Sequence, residues 1–252
     1  MTPTKPNYKE FTDPHMAGMY DVYNQHYPLE KEFFFDLAKE VNARKIIDIG
    51  CGTGLLTIPL AKSGYDMVGI EPAPAMLAIA QANSKDVSIK WIEGDALDLS
   101  ESDCDLAIMT AHVAQFLLED EYFVGCLRSI NTSLKIGGYL AFDTRNTGVT
   151  LDELGWPTKD KPRTNNNLTD VNMAWWAEIL ETKGNRILYE IHTQINEKEM
   201  VSVNELIFRS KQEVTDALME AGFVVETIYG DWDKSELNED SPEMVFVAKK
   251  VK

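Results

Sequence analysis

The sequence predicts an α/β domain, a mostly parallel sheet with helices on both faces, carrying a small antiparallel insertion near residues 146–209. Three observations predict it. Apolar runs of strand length alternate with amphipathic helical stretches as far as Arg145, the pattern of βαβ units. The rhythm then breaks into three segments with the two-residue period of antiparallel strands. Finally, the first central strand empties into a glycine loop, with residues 46–57 reading IIDIGCGTGLLT.

The elements follow in order. Residues 30–43 (EKEFFFDLAKEVNA) place Phe33, Phe34, Leu37, Ala38 and Val41 on one helical face. Strands are expected at 45–49, 65–71, 87–93, 105–109 and 138–145. Between the last two, residues 119–134 carry Phe123, Leu127, Ile130 and Leu134 as an apolar helical stripe. Residues 146–169 are rich in Gly, Pro, Asn and Thr and read as a loop. Strands at 171–181, 186–196 and 200–209 follow, joined by KGN and NEKE connections of hairpin length. A helix resumes after Ser210, which with Glu213 forms a capping box, and Gly222 stops it. Residues 223–229 and 244–249 read as two further strands. The expected organisation is one domain, 1–145 with 210–252, interrupted by a lid at 146–209.

Bulk properties narrow the class. A chain of 252 residues, 44% hydrophobic and 26% charged, is ordinary for a globular protein. No apolar stretch approaches the roughly 18 residues needed to span a bilayer, and the N-terminus lacks a secretory apolar region. The cysteines, Cys51, Cys104 and Cys126, form no CxxC pair, and no histidine spacing suggests zinc, so no metal is expected. The expectation is a cytoplasmic monomer or homodimer with no membrane partner. A net charge of −17 without a basic stripe repels phosphate backbones and argues against nucleic acid.

The glycine loop carries the chemistry. Gly50, Gly52 and Gly54 follow Asp48, giving GxGxG, whereas a dinucleotide fingerprint would need a glycine where Leu55 stands. A carboxylate before the loop repels a pyrophosphate but suits a ligand bearing an ammonium and a sulfonium, which favours S-adenosylmethionine over NAD. Glu71 ends the second strand, close to the expected distance for an acceptor of ribose hydroxyl bonds. After the third strand Asp95 is placed to accept from an adenine amino group, or to cap a helix.

Together the segments DIGCGTG (48–54), GIEPAPAML (69–77), EGDAL (93–97), DLAIMTAHVAQFL (105–117) and LKIGGYLAFDTRN (134–146) carry a family likeness. The chain resembles a class I S-adenosylmethionine-dependent methyltransferase of the type 11/type 25 small-molecule group. The resemblance implies a Rossmann-like seven-stranded sheet with one antiparallel strand. It also implies that Asp48, Gly50, Gly52 and Gly54 wrap the methionine end, and that Glu71 holds the ribose diol. Pro72 and Met76 would flank the adenine, Asp95 and Ala96 would read its edge, and Tyr20 resembles a hydroxyl that meets the carboxylate.

Methyl transfer from a sulfonium, leaving S-adenosylhomocysteine, needs a base only when the acceptor carries a proton at neutral pH. The loop 110–115 lies at the carboxyl end of the fourth strand, where open α/β sheets bind ligands. Thr110 and Gln115 are placed there as cofactor contacts. His112 is read either as a base or acceptor-orienting donor, or as a ring packed near the cofactor. Arg145 is read as a fork for an anionic acceptor, or as an ion-pair partner of Asp143 or of a lid acid. The lid aromatics Trp175, Trp176, Tyr189, His192 and Phe208 either enclose a small organic acceptor or pack the lid. Two other classes stand beside this reading, a cofactor-binding sensor or partner module without turnover and an NAD(P)-dependent oxidoreductase.

Overall fold

The computed structural model describes residues 9–23, 28–147, 156–165 and 173–251. Half of the expected 146–169 loop and the first residues of the strand expected from Val171 lie outside them. The elements are α1 (Lys9–Thr12), α2 (Pro14–Tyr23), α3 (Pro28–Glu40), β1 (Lys45–Ile49), α4 (Thr57–Lys62), β2 (Asp66–Glu71), α5 (Pro74–Asn83), β3 (Ile89–Glu93), β4 (Cys104–Met109), α6 (Asp120–Ser133) and β5 (Leu134–Arg145). There follow β6 (Arg163–Asn165), β7 (Met173–Lys183), β8 (Arg186–Ile195), β9 (Lys198–Ile207), α7 (Lys211–Glu220), β10 (Phe223–Tyr229) and β11 (Glu243–Lys250).

Seven strands form the central sheet in the order β10-β11-β5-β4-β1-β2-β3, with β11 antiparallel to both neighbours. The pleat explains why its strands read as continuous apolar runs. In β1, Ile47 and Ile49 enter one core cluster and Ile46 the other; in β4, Ala107 and Met109 face one way and Leu106 and Ile108 the other. Helices cover both faces, so every residue of β4, and of β1 from Ile46 to Ile49, is buried. The chain runs outward from β1 through β2 to β3, then crosses back to place β4 on the other side of β1. That reversal opens a crevice beyond the carboxyl ends of β1 and β4.

A second sheet, β6-β7-β8-β9, is antiparallel throughout. Its inner face buries Ile187, Tyr189 and Leu206, with Phe116 and Trp156 packed against them. Arg209 anchors its end to α6: Nε donates to Oδ1 of Asp120 at 2.9 Å and a terminal nitrogen to the Leu117 carbonyl at 2.8 Å. The guanidinium also lies 4.4 Å from the Phe123 ring centroid.

The capping box of α7 forms as read, with the Ser210 amide donating to Glu213 at 2.7 Å and the Glu213 amide returning to Ser210 Oγ at 3.3 Å. The first amphipathic helix ends at Glu40 rather than Ala43. Asn42 turns left-handed (φ 53°), and the Ala43 amide folds back onto the Ala38 carbonyl at 2.9 Å. Helices α1 and α2 were not expected, because MAGMYDVY shows no clear apolar stripe at helical spacing.

Candidate active site

A cavity of about 450 Å³ fills the crevice, a size within the usual range for small-ligand sites. Its floor is the loop after β1, with Asp48, Gly50 and Gly52 on the wall. The end of β2 contributes Glu71 and Pro72, α5 contributes Met76, the turn after β3 gives Asp95 and Ala96, and the segment after β4 gives Thr110. The roof is Phe11, Tyr20, Glu30 and Lys31, from α1, α2 and α3. Gly54, His112, Gln115 and Arg145 do not line it.

The loop geometry needs its glycines. Gly50 has φ 70°, and a Cβ there would stand 2.6 Å from a Val113 methyl. This left-handed turn is where an L side chain costs most. Gly52 (φ 55°) donates its amide to Oε2 of Glu71 at 2.9 Å, while Oε1 of Glu71 accepts from the Ala73 amide at 2.9 Å. Glu71 therefore staples the loop to β2 as well as facing the cavity. Burial raises its pKa, and those two amides pull the other way.

Asp48 is 1% exposed. The Thr57 hydroxyl donates to its Oδ2 at 2.6 Å, and its Oδ1 is buried with no partner among the described residues. Burial, with the Glu71 charge adding, pushes its carboxyl up to about 7. Cys51, beside it, has a thiol raised well above its ordinary value by burial and by both acids, which makes it a poor nucleophile. Asp95 caps the turn Ala96–Asp98, accepting from the Leu97 amide at 2.9 Å, so the capping role and the wall position coincide. Asp21 on α2 accepts a hydrogen bond from the Thr53 hydroxyl, tying the roof to the glycine loop.

Behind the wall lies a second polar group. Ala111 and His112 both adopt left-handed backbone (φ 55° and 61°), a strained pair for residues that are not glycine. Two carboxylates hold them there. The Ala111 amide donates to Oε1 of Glu30 at 3.2 Å, and the His112 amide to Oδ2 of Asp143 at 2.9 Å. The His112 ring turns away from the cavity, with Nε2 2.8 Å from Glu243 and 3.3 Å from Asp143. These three residues bring one potential donor atom each within 4.8 Å of one another, a meeting that no local spacing announced. Burial lowers the imidazole to about 4 and raises Glu243 to about 7 and Asp143 to about 6.

Gln115 and Arg145 form the joint between the two sheets. Arg145 donates to Oε1 of Gln115 at 2.7 Å and lies 5.6 Å from the Trp156 ring centroid. Gln115 in turn donates to the Ile207 carbonyl at 3.2 Å. Arg145 thus engages an amide in place of the Asp143 pair read from sequence. None of the aromatics Trp175, Trp176, Tyr189, His192 and Phe208 lines the cavity; Trp176 stacks on His192 at 5.0 Å, and Tyr189 packs on Trp156 at 4.8 Å.

Residues 46–138 match the family model described as a methyltransferase domain. These residues form a methyltransferase domain. A glycine/sarcosine N-methyltransferase of Aphanothece halophytica is 28% identical over 88% of this chain and 82% of its own length. A protein of Geobacillus sp. (strain WCH70) named as a methyltransferase is 29% identical over 82% and 85%. Among solved structures, an S-adenosylmethionine-dependent methyltransferase from Clostridium acetobutylicum superposes with a TM-score of 0.78 at 15% identity, covering 94% of this chain and 98% of the other. At that identity the likeness speaks for the fold. The cavity also has lining residues that sequence reasoning missed: Glu30, Phe11, Lys31 and Phe116. Glu30 read as the start of a helix, and only the packing of α3 over the crevice reveals it.

Proposed function

We propose that the chain transfers methyl groups from S-adenosylmethionine to a small organic acceptor, with residues 146–209 serving as the acceptor-side lid. One observation carries the cofactor reading: the buried Oδ1 of Asp48, unpartnered among the described residues on a wall of the cavity. An unpaired buried carboxylate oxygen is costly. An ammonium or sulfonium satisfies it, and a pyrophosphate does not. The whole lining supports this, with Glu30, Asp48, Glu71 and Asp95 against Lys31 as the one cation among the described lining residues.

When bound, S-adenosylmethionine supplies an electrophilic methyl group. The chain's part is to hold and to exclude. Asp48 and the Gly50–Gly52 backbone would take the amino-acid end, Glu71 the ribose hydroxyls, and Asp95 with Ala96 the base edge between Pro72 and Met76. Phe11, Tyr20 and Phe116 would keep water from the reacting centre, where positioning and desolvation supply most of the acceleration. Buried free cysteines accord with a cytoplasmic setting, and no helix among the described residues is long and apolar enough to cross a membrane.

The test is calorimetric titration of S-adenosylmethionine, S-adenosylhomocysteine and NADH into the wild type and Asp48→Asn. The reading expects binding of the first two, weakened about tenfold or more in the variant, as for loss of a charged hydrogen-bond partner. NADH binding without S-adenosylmethionine binding would overturn it.

A further inference from the structure

We propose that Glu30 is the acceptor-side carboxylate of this cavity, which binds the ammonium form of a small primary or secondary amine and accepts the proton released when its nitrogen is methylated. The inference rests on the S-adenosylmethionine reading and names its acceptor class.

The cavity presents four carboxylates, and three have tasks at the cofactor: Asp48, Glu71 and Asp95. Glu30 is left over. It comes from α3, on the roof, and its Oε1 accepts from the Ala111 amide just past β4. That places it against the carboxyl end of β4, where open α/β sheets put their ligands. No cation pairs with it among the described residues. The anchoring amide belongs to the left-handed Ala111–His112 turn, so a strained backbone fixes where this carboxylate points.

The surroundings choose between acceptor chemistries. Burial first, and then the charges of Asp143, Glu243 and Asp48, push the Glu30 carboxyl up to about 8, against the pull of the Ala111 amide. Asp143 Oδ1 and Glu243 Oε2 are buried without partners among the described residues. Facing groups of the other sign are Lys31 on the wall and Arg145, whose charge reaches Glu243 and Asp143; His112 is neutral at ordinary pH. A hydroxyl or thiol acceptor must develop negative charge here, against several carboxylates. An amine arrives as a cation, is attracted, and reaches its nucleophilic form by giving up charge. The rest of the lining, Phe11, Leu55, Phe116 and Leu117, is apolar and suits a small organic body.

The step balances as follows. The ammonium gives one proton to the Glu30 carboxylate, which frees the nitrogen lone pair. That pair forms the new carbon–nitrogen bond to the sulfonium methyl. The carbon–sulfur bond breaks with its electrons passing to sulfur, leaving a neutral thioether. Before an acceptor enters, the Glu30 carboxyl, raised to about 8, holds a proton at neutral pH. The charge of an entering ammonium favours its ionised form, and the raised proton affinity brings it nearer to that of an amine, which favours the transfer.

The experiment uses the full chain with labelled S-adenosylmethionine. The probes are glycine, sarcosine, methylamine and glucosamine, each against a hydroxy counterpart: glycolate, lactate, methanol and glucose. Wild type, Glu30→Gln and Glu30→Asp are compared for turnover, for the kcat and KM split, and for S-adenosylhomocysteine affinity by calorimetry. An amine should be methylated and its hydroxy counterpart not. Glu30→Gln should lower kcat/KM about 100-fold or more, the usual range for a lost base, while cofactor affinity stays within about threefold. Glu30→Asp should retain part of the rate, and it carries the test if Glu30→Gln fails to fold. Preference for hydroxy probes, full amine turnover in Glu30→Gln, or silence of every amine with S-adenosylhomocysteine bound would each overturn the proposal. Failure of the wild type to bind S-adenosylhomocysteine would instead overturn the cofactor reading beneath it.

Discussion

Nε2 of His112 and Oε1 of Glu243 lie 2.8 Å apart although 131 residues separate them in the chain. The contact joins the turn after β4 to the first residue of β11, which pairs with β5 at Arg145. His112 is thereby a strut between strands, with its ring outside the cavity wall.

His112→Ala should therefore cost stability more than binding. It removes the partner of a buried carboxylate, a loss of about 1–3 kcal/mol. Thermal melting should fall by several degrees while S-adenosylhomocysteine affinity stays within about threefold. Unchanged melting with abolished turnover would return the ring to catalysis.

Glu71→Ala should do both. It strips the cavity of its ribose acceptor and leaves the Gly52 and Ala73 amides without their carboxylate. Calorimetry should show S-adenosylhomocysteine binding weaker by about 1.5–3 kcal/mol. Equal affinity in the variant would reduce Glu71 to a staple for the loop.

Gly50 and Val113 lend themselves to a double-mutant cycle. Gly50→Ala combines left-handed strain of about 1–2 kcal/mol with a Cβ 2.6 Å from Val113. In a Val113→Ala background the contact part should disappear and the strain part remain. Denaturant unfolding would show a coupling between the two sites; strict additivity would mean that the loop shifts to avoid the clash.

The pH dependence of the ligand-free protein has a definite sign. Glu30, Asp48 and Glu243 have folded pKa values raised to about 8, 7 and 7. Each binds its proton more tightly folded than unfolded, so its stabilisation is complete below the unfolded pKa near 4 and is lost as pH rises through the folded value. His112, lowered to about 4, has the opposite effect, but only below its unfolded value of 6.5. Melting temperature should thus fall between about pH 6.5 and 8.5, by roughly 3–8 °C, and by less in Glu30→Gln. A flat or rising profile across that window would show that these carboxyls titrate normally.

Much of this was legible in the sequence because local patterns encode it. The two-residue alternation of β7 to β9, the Ser210–Glu213 box and the GxGxG loop are each contained within a few neighbouring residues. So are the strand-end acids Asp48, Glu71 and Asp95, which the sheet topology brings to one cavity. Glu30, Asp143 and Glu243 were not legible, because they meet Ala111 and His112 only through packing between distant elements. For the same reason the direction of the His112 ring could not be read. A histidine after a strand points into or away from the crevice according to its φ, and the left-handed turn that rotates it outward has no glycine to announce it.

The roof of the cavity rests on slender support. Among the described residues, beyond the Asp21–Thr53 bond, α1 and α2 meet the body through a small patch, Ala17 against Ala73 and Met76 with Phe11, Tyr20 and Ile79 around it, and through the edge of the Phe11 ring on Phe116. A patch of that size opens at far lower free energy than the sheet beneath. Amide protons of α2 should then trade with solvent through lifting of the roof, while those of β1 wait for global unfolding. The same lifting admits and releases whatever the cavity holds, so ligand residence time is set by two short helices and not by the sheet.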